Sequence, residues 1–334
     1  MSKKSYALTF LLFVVSFAVI TVLIIVAYHA NGDPLTFQVN SDPEGFTLQH
    51  VHLLTRHSIR APTNISSKWS NPTDYPMGIG YLTKLGKQRA VRVGTILRHF
   101  YSSFLDENPH KIWARSSTVP RCYETLSLVL SAMYPPKEKW EFDYPIQPIP
   151  IVMMPNGNDV VVQNCLGSTP FPAPSNFRYL YNLSDPALEH DNFANFGEFM
   201  EWLAPISGYR SNESDFYEPV IDALIAQRYN QLPIPGWANE KWSSINFALR
   251  KLSFDYYAYD MPYYGDYAGK FIAERIQAAA NALGSDRPKL SIMTYHDSNI
   301  QAILSALQLD VTSLYPSFLA AMHFQLYKNE SDGG

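Results

Sequence analysis

Apolar residues crowd into a short stretch at positions 47–56, TLQHVHLLTR, and the stretch ends abruptly at the polar cluster Arg56-His57-Ser58. A brief apolar-rich run of this kind is the profile of a central strand in a parallel-type sheet. Over 83–105, Leu85, Ala90, Val93, Ile96, Leu97 and Phe100 then recur at roughly helical spacing with Lys and Arg between them, which predicts an amphipathic crossover helix. KIWARSS at 111–117 reads as a second strand, and YETLSLVLSAMY at 123–134 as the helix after it. Strand, helix, strand, helix argues for an α/β layer.

The pattern then changes. Residues 135–180 carry many prolines, an NGND turn at Asn156 to Asp159 and no sustained period, and they lead into helical patches at NFGEFMEWLA, FYEPVIDALIAQRYN and NEKWSSINFALRKLSFDYYA. The stretch 155–255 is read as a mainly helical cap inserted into the layer. After it the α/β pattern resumes, with YAGKFIAERIQAAANALG as a helix, KLSIMTY as a strand, SNIQAILSALQL as a helix and FLAAMHFQLY as a last strand. The expected fold is therefore α/β, a mixed sheet flanked by helices, in which 46–154 and 256–330 share one sheet beneath the cap. Polar, turn-rich residues 31–45 read as a linker leading into it.

Ahead of the linker, MSKK opens onto an apolar run from Tyr6 to Tyr28, broken by no charge and relieved by Thr9, Ser16 and Thr21. It is about long enough to span a bilayer as a helix. Tyr28-His29-Ala30 puts an aromatic where a cleaved signal prefers a small residue, which favours an uncleaved signal anchor over a signal peptide within 1–30. Lys3 and Lys4 would stay cytoplasmic, placing the rest of the chain in the lumen of the secretory pathway or outside the cell. Sequons at Asn64, Asn182, Asn212 and Asn329 agree with export as candidate glycosylation sites, although each alone is an ordinary polar loop. Cys122 and Cys165 are too few for a disulfide framework, and their pairing is open.

Bulk composition narrows the function classes. With 46% hydrophobic residues, 14% aromatic, in 334 residues, the chain can fill a real core. A formal charge of -4 gives the backbone of DNA or RNA no broad basic field to meet, so a nucleic-acid partner has no support.

Candidate chemistry sits where strands end. In open α/β sheets, ligands bind at the carboxyl ends of strands, so Arg56, His57 and Arg60 in Arg56-His57-Ser58-Ile59-Arg60-Ala61-Pro62 point into a site. The plain alternative is a solvated strand end. Tyr295-His296-Asp297 ends the later strand in the same topological position, its plain alternative being a helix cap by Asp297. Arg115 ends the middle strand and would bring another guanidinium to that edge, or lie exposed there. Together these groups suit phosphomonoester hydrolysis through a covalent intermediate. Guanidiniums of Arg56, Arg60 and Arg115 match phosphate oxygens, His296 adds a donor, His57 attacks as a neutral imidazole, and Asp297 protonates the leaving oxygen. Such a route takes small phosphate monoesters and needs no metal or cofactor. His50 and His52 form an H-x-H pair without a matching carboxylate or cysteine cluster, and His99, His110, His190 and His323 read as surface or packing residues.

These segments resemble the histidine acid phosphatase family, the acid-phosphatase branch of the histidine phosphatase superfamily. RHSIRAP is similar to its RHGxRxP signature, YHDSN to its HD signature and ARSSTVPR to its RSTDxxR segment, with weaker similarity at MGIGYLTKLG and WEFDYPIQPIPI, covering most of 46–330. The resemblance implies an α/β domain with a helical cap. It puts the family's nucleophile on His57, its phosphate arginines on Arg56, Arg60 and Arg115, its second phosphate histidine on His296 and its proton donor on Asp297. Three departures stand out. Ser58 replaces the family glycine, where a hydroxymethyl would crowd phosphate or strain the backbone. Thr118 and Pro120 replace acidic residues. Relatives also continue past FLAAMHFQLY with a further strand and cysteines, which implies a free thiol at Cys165. The alternatives are a relative acting on inositol or phospholipid-like phosphates, and a weakened or inactive ectodomain that binds a ligand or partner. A homodimer is left open.

Overall fold

The structure is a computed structural model that describes residues 10–15, 18–25, 42–65, 70–137, 146–155, 158–159, 161, 181–207, 217–255, 262–282, 288–307 and 315–332. In chain order the strands are β1 (Phe10–Val15), β2 (Ala18–Ile25), β3 (Phe46–Arg56), β4 (Ile112–Ser116), β5 (Ile151–Met153), β6 (Leu290–Tyr295) and β7 (Ala321–Asn329). The helices are α1 (Lys84–Phe100), α2 (Pro120–Met133), α3 (Pro186–His190), α4 (Phe196–Ser207), α5 (Tyr217–Tyr229), α6 (Gly236–Glu240), α7 (Trp242–Asp255), α8 (Pro262–Asn281) and α9 (Asp297–Ala306).

The sheet runs β1-β2-β7-β3-β6-β4-β5 and is mixed: β3, β6, β4 and β5 are parallel, while β7 lies antiparallel to β3. Every residue of β3 from His50 to Arg56 and all of β6 are buried, which is why both read as apolar stretches. Along β3 the faces alternate. Val51 and Leu53 pack with Ala90 and Leu97 of α1 and Leu126 and Leu130 of α2, whereas Leu54 packs with Ala268 and Ile272 of α8 and Ile303 of α9. Helices thus cover both faces, the layering that parallel strands require. At Gly94 a Cβ would lie 2.2 Å from the Val129 carbonyl oxygen, so glycine is what lets α1 approach α2.

The decisive feature of the topology is that β6, from the last third of the chain, lies between β3 and β4. Register pairs Arg56 with Tyr295 and Ser116 with Thr294, so the ends of three strands finish side by side. Between β5 and α8, helices α3 to α7 carry a core of their own, including Leu188, Phe196, Phe199, Leu203, Leu224 and Ile245, and that core takes in Ile59 and Phe318 beside the strand ends.

At the N-terminus the described residues fall into two short stretches. Phe10–Val15 and Ala18–Ile25 are extended, pair antiparallel with each other, and add to the sheet along β7. FLLFVV and AVITVLII are rich in β-branched and aromatic residues, and an apolar run without a period suits a strand as well as a helix. Among the described residues no helix is long and apolar enough to cross a membrane. The expected linker up to residue 41 lies outside the described residues, as do Asn212, Cys165 and most of the proline-rich stretch.

Candidate active site

β3 delivers the first cluster. The His57 N–H still donates to the Tyr295 carbonyl at 2.9 Å, as one last rung of the β3–β6 ladder, and the chain then turns. Residues 59–61 are held against the segment entering α1: the Thr83 N–H donates to the Ile59 carbonyl, and the Ala61 N–H to that of Tyr81. Gly86 makes this possible, because a Cβ there would stand 1.9 Å from the Ile59 carbonyl oxygen. Ser58 belongs to the same packing. Its hydroxyl donates to the Gly86 carbonyl at 2.7 Å, and its N–H donates to Thr125 Oγ1 at 2.9 Å. Its backbone is not among the left-handed positions. The strain expected of Ser58 is therefore absent, and its hydroxyl is committed to α1.

His57 is fully buried, and its tautomer follows from its neighbours. Nδ1 lies 2.8 Å from the Ser58 carbonyl, to which it must donate, so Nε2 carries the lone pair. That lone pair accepts from Arg121 Nε at 3.0 Å. Burial, then the guanidiniums of Arg56, Arg121 and Arg60, hold the imidazole pKa well below its usual value and keep the ring neutral. His296 stands edge-on to it, ring centroids 5.6 Å apart, and is pushed down to about 3 by burial and by Arg121.

Opposite stands Asp297, the first residue of α9. Arg56 NH2 lies 3.1 Å from its Oδ2, the Tyr315 hydroxyl donates to the same oxygen, and the Ser298 N–H donates to Oδ1 at 2.9 Å. Burial would raise this carboxyl, but Arg56 and Tyr315 outweigh it and bring it down to about 2. The Arg56 guanidinium is itself fixed, donating to the Pro316 carbonyl at 2.6 Å between the rings of Phe318, 4.1 Å away, and Tyr315, 5.0 Å away. Asp297 does not serve as the helix cap: His296 occupies the cap position, and its N–H donates to the Asn299 side-chain oxygen.

Arg60 faces the same space, paired with Asp222 of α5 through two contacts of 3.2 and 2.6 Å. Asp222 also accepts from the N–H and hydroxyl of Thr63, both at 2.8 Å, which ties α5 to the loop after β3. Arg115 is placed elsewhere. Its guanidinium is buried against the α8 face, bonded to Asp159 at 2.7 Å and to the Tyr295 hydroxyl at 2.8 Å, with the Phe271 ring at 4.5 Å. The structure brings Arg56, His57, Arg60, His296 and Asp297 together, and the further guanidinium at His57 is that of Arg121.

One buried and one half-buried histidine, a carboxylate and the guanidiniums of Arg56, Arg60 and Arg121 lie together, a set of groups suited to holding a small anion. Residues 47–333 match the family described as the histidine phosphatase superfamily, branch 2. The chain belongs to that superfamily. Among relatives of this histidine phosphatase, the lysosomal acid phosphatase of Homo sapiens is 26% identical over 296 residues, covering 85% of this chain and 68% of the relative. The prostatic acid phosphatase of Bos taurus is 24% identical over 307 residues, covering 85% and 75%. A solved structure of Hafnia alvei phytase in complex with tartrate superimposes with a TM-score of 0.56 at 14% identity, over 87% of this chain and 83% of that one. The phytase of Klebsiella sp ASR1 does so with a TM-score of 0.56 at 15% identity, over 87% and 80%. At those identities the solved structures speak for the fold alone.

Sequence reasoning about this histidine phosphatase missed Arg121, although it closes the same ARSSTVPR segment as Arg115. A signal was available. Arg115 lies inside a strand, whose side chains stand perpendicular to the sheet, whereas Arg121 follows Pro120 in the first turn of α2, just beyond the strand end. Asp222 and Tyr315 carry no motif. Away from the site, Asn64 and Asn182 are exposed, and Asn329 is half-buried with its side-chain oxygen accepting from Ser331. Cys122 is a free buried thiol whose S–H is directed at the Tyr295 carbonyl. His50 Nδ1 donates to the Pro288 carbonyl, and His52 Nε2 faces the Met293 sulfur.

Proposed function

We propose that this histidine phosphatase hydrolyses phosphate monoesters by way of a phosphohistidine on Nε2 of His57. The observation that carries the reading is the imidazole itself, its Nδ1–H fixed by the Ser58 carbonyl and its lone pair turned toward arginine. A phosphate entering the site exchanges with Asp297 for Arg56, with Asp222 for Arg60, and with the His57 lone pair for Arg121. Those three guanidiniums and His296 then hold the equatorial oxygens while Nε2 attacks in line. A P–N bond forms, the bond to the leaving oxygen breaks, and Asp297 supplies that oxygen with a proton. In the second half, the Asp297 carboxylate takes a proton from water, the oxygen of that water attacks phosphorus, and the P–N bond breaks. Inorganic phosphate leaves, and His57 is neutral again.

Asp297 is ionised in the ligand-free site, so it has to be protonated as substrate binds. Phosphate brings negative charge and competes for Arg56, and both raise the carboxyl pKa, which favours turnover at acid pH. The test is hydrolysis of p-nitrophenyl phosphate by the purified chain from acid to mildly alkaline pH, with and without EDTA. Turnover unaffected by EDTA, with an acid-labile phosphoenzyme trapped at short times, is expected; absence of turnover above background would refute the reading.

Residues 155–255 act, in this proposal, as a cap that shapes access for the leaving group, supported by the Asp222 contact to Arg60 and by the core shared with Ile59 and Phe318. The apolar run from Tyr6 to Tyr28 and the exposed Asn64 and Asn182 support a lumenal or extracellular domain held by a signal anchor. A spanning helix and pairing with β7 are mutually exclusive for the same residues. With Asn64 and Asn182 exposed, peptide N-glycosidase is expected to increase the gel mobility of protein made in a secretory cell; unchanged mobility would count against export.

A further inference from the structure

Asp297 has more holding it than a proton donor needs. Ser298 and Arg56 already orient its two oxygens, and Tyr315 adds a third donor. Tyr315 comes from the segment before β7, and that segment is tied down on several sides. Arg56 donates to the Pro316 carbonyl, the Leu319 N–H to the His57 carbonyl at 3.3 Å, and the Ala320 N–H to the Ser317 carbonyl at 2.9 Å. The hydroxyl is thus presented from a fixed backbone, with its ring lying against the Arg56 guanidinium.

We propose that Tyr315 is a positioning residue of the acid–base step: its hydroxyl anchors Asp297 Oδ2 beside Arg56 and so sets the pH range in which Asp297 hands a proton to the leaving oxygen. The inference rests on Asp297 being the proton donor. The charged and titratable groups facing Asp297 are Arg56 from β3, Arg60 from the loop after it, Arg121 and Cys122 from α2, its neighbour His296, and Tyr315. Arg56 is also needed by the phosphate, so its hold on the carboxylate weakens as substrate binds. The Tyr315 hydroxyl, among the described residues, donates to Asp297. Burial raises the phenol well above its usual pKa, so it remains a donor at every pH of interest. A donor to the ionised carboxyl favours the ionised form, and its loss lets Asp297 keep its proton to higher pH.

Tyr315→Phe removes the hydroxyl and keeps the ring on Arg56; Tyr315→Leu is a second variant without a donor, should the first fail to fold. With glycerol 2-phosphate, a poor leaving group that depends on protonation, the alkaline limb of kcat is expected to move up by about one pH unit while KM changes by less than about twofold. The limb for p-nitrophenyl phosphate, a better leaving group, should move less. Tyr315→Gln, which restores an N–H donor, should bring the limb back toward the parent position. A limb that stays in place, or a kcat that falls equally at every pH, overturns the inference. Asp297→Asn separates the two levels. If it leaves glycerol 2-phosphate turnover intact, the donor assignment falls and the role of Tyr315 with it; if it removes that turnover while Tyr315→Phe leaves the limb unmoved, the Tyr315 inference alone fails.

Discussion

His57→Ala is expected to lower kcat for p-nitrophenyl phosphate by at least about ten-thousandfold and to abolish phosphoenzyme labelling, because the proposed route puts the attacking lone pair on His57 Nε2. His296 is a neighbour, but in the proposed arrangement its ring binds an equatorial oxygen and is not in line with the leaving group. Arg121, Arg56 and Arg60 remain in the variant, so phosphate binding should survive and KM should change far less than kcat. Labelling that persists in His57→Ala would refute the covalent route through this residue. Ser58→Gly, one position on, is the matched control. The Ser58 hydroxyl is bonded to the Gly86 carbonyl. Restoring glycine should therefore leave kcat within about twofold and cost about 1 kcal/mol of stability through the lost hydrogen bond and the freer unfolded chain. A large gain in kcat for Ser58→Gly would mean that the serine does crowd the phosphate.

How far the sequence disclosed this architecture depended on what each residue's environment imposes on its neighbours. β3, β6, α1 and α2 were readable because burial on two faces or one repeats over enough residues to leave a pattern. The meeting of His57 with His296 and Asp297 was readable from the rule that ligands bind at strand ends, and the insertion of β6 between β3 and β4 is the physical reason the rule holds here. β5 left no trace because it has three residues, two of them exposed. The N-terminal run was ambiguous in principle: continuous hydrophobicity has no period by which to separate a bilayer helix from the paired strands β1 and β2. Asp222 and Tyr315 were invisible for another reason. Each reaches the site from a distant segment through its own side chain, and such contacts impose no repeating pattern on the residues that flank it.

Arg115 and Arg121 are the pair for which sequence and structure give opposite answers, and they are separable by combining kinetics with stability. Arg121 donates to His57 Nε2 from within a cluster of like charge; burial and the neighbouring Arg60 both disfavour its charged form. Arg121→Met should lower kcat/KM by about a hundredfold to a thousandfold, the usual consequence of losing one preorganised donor to the transition state. The same change relieves repulsion with Arg60, so the urea midpoint should hold or rise. It should also move the acid limb of kcat/KM upward. One cation fewer makes the protonated His57 imidazole easier to form, so the nucleophile is lost to protonation at a higher pH. Arg115→Met is expected to do the reverse. It leaves the carboxylate of Asp159, 1% exposed, without its cationic partner and should cost about 3–5 kcal/mol, while folded protein keeps kcat/KM within a few fold. Replacing Arg115 and Asp159 together by apolar residues should return much of that stability, since a vacated pair leaves no buried charge behind. If Arg115→Met instead loses turnover with its unfolding midpoint unchanged, the guanidinium serving phosphate is that of Arg115, and the placement of Arg121 at His57 is not the working arrangement.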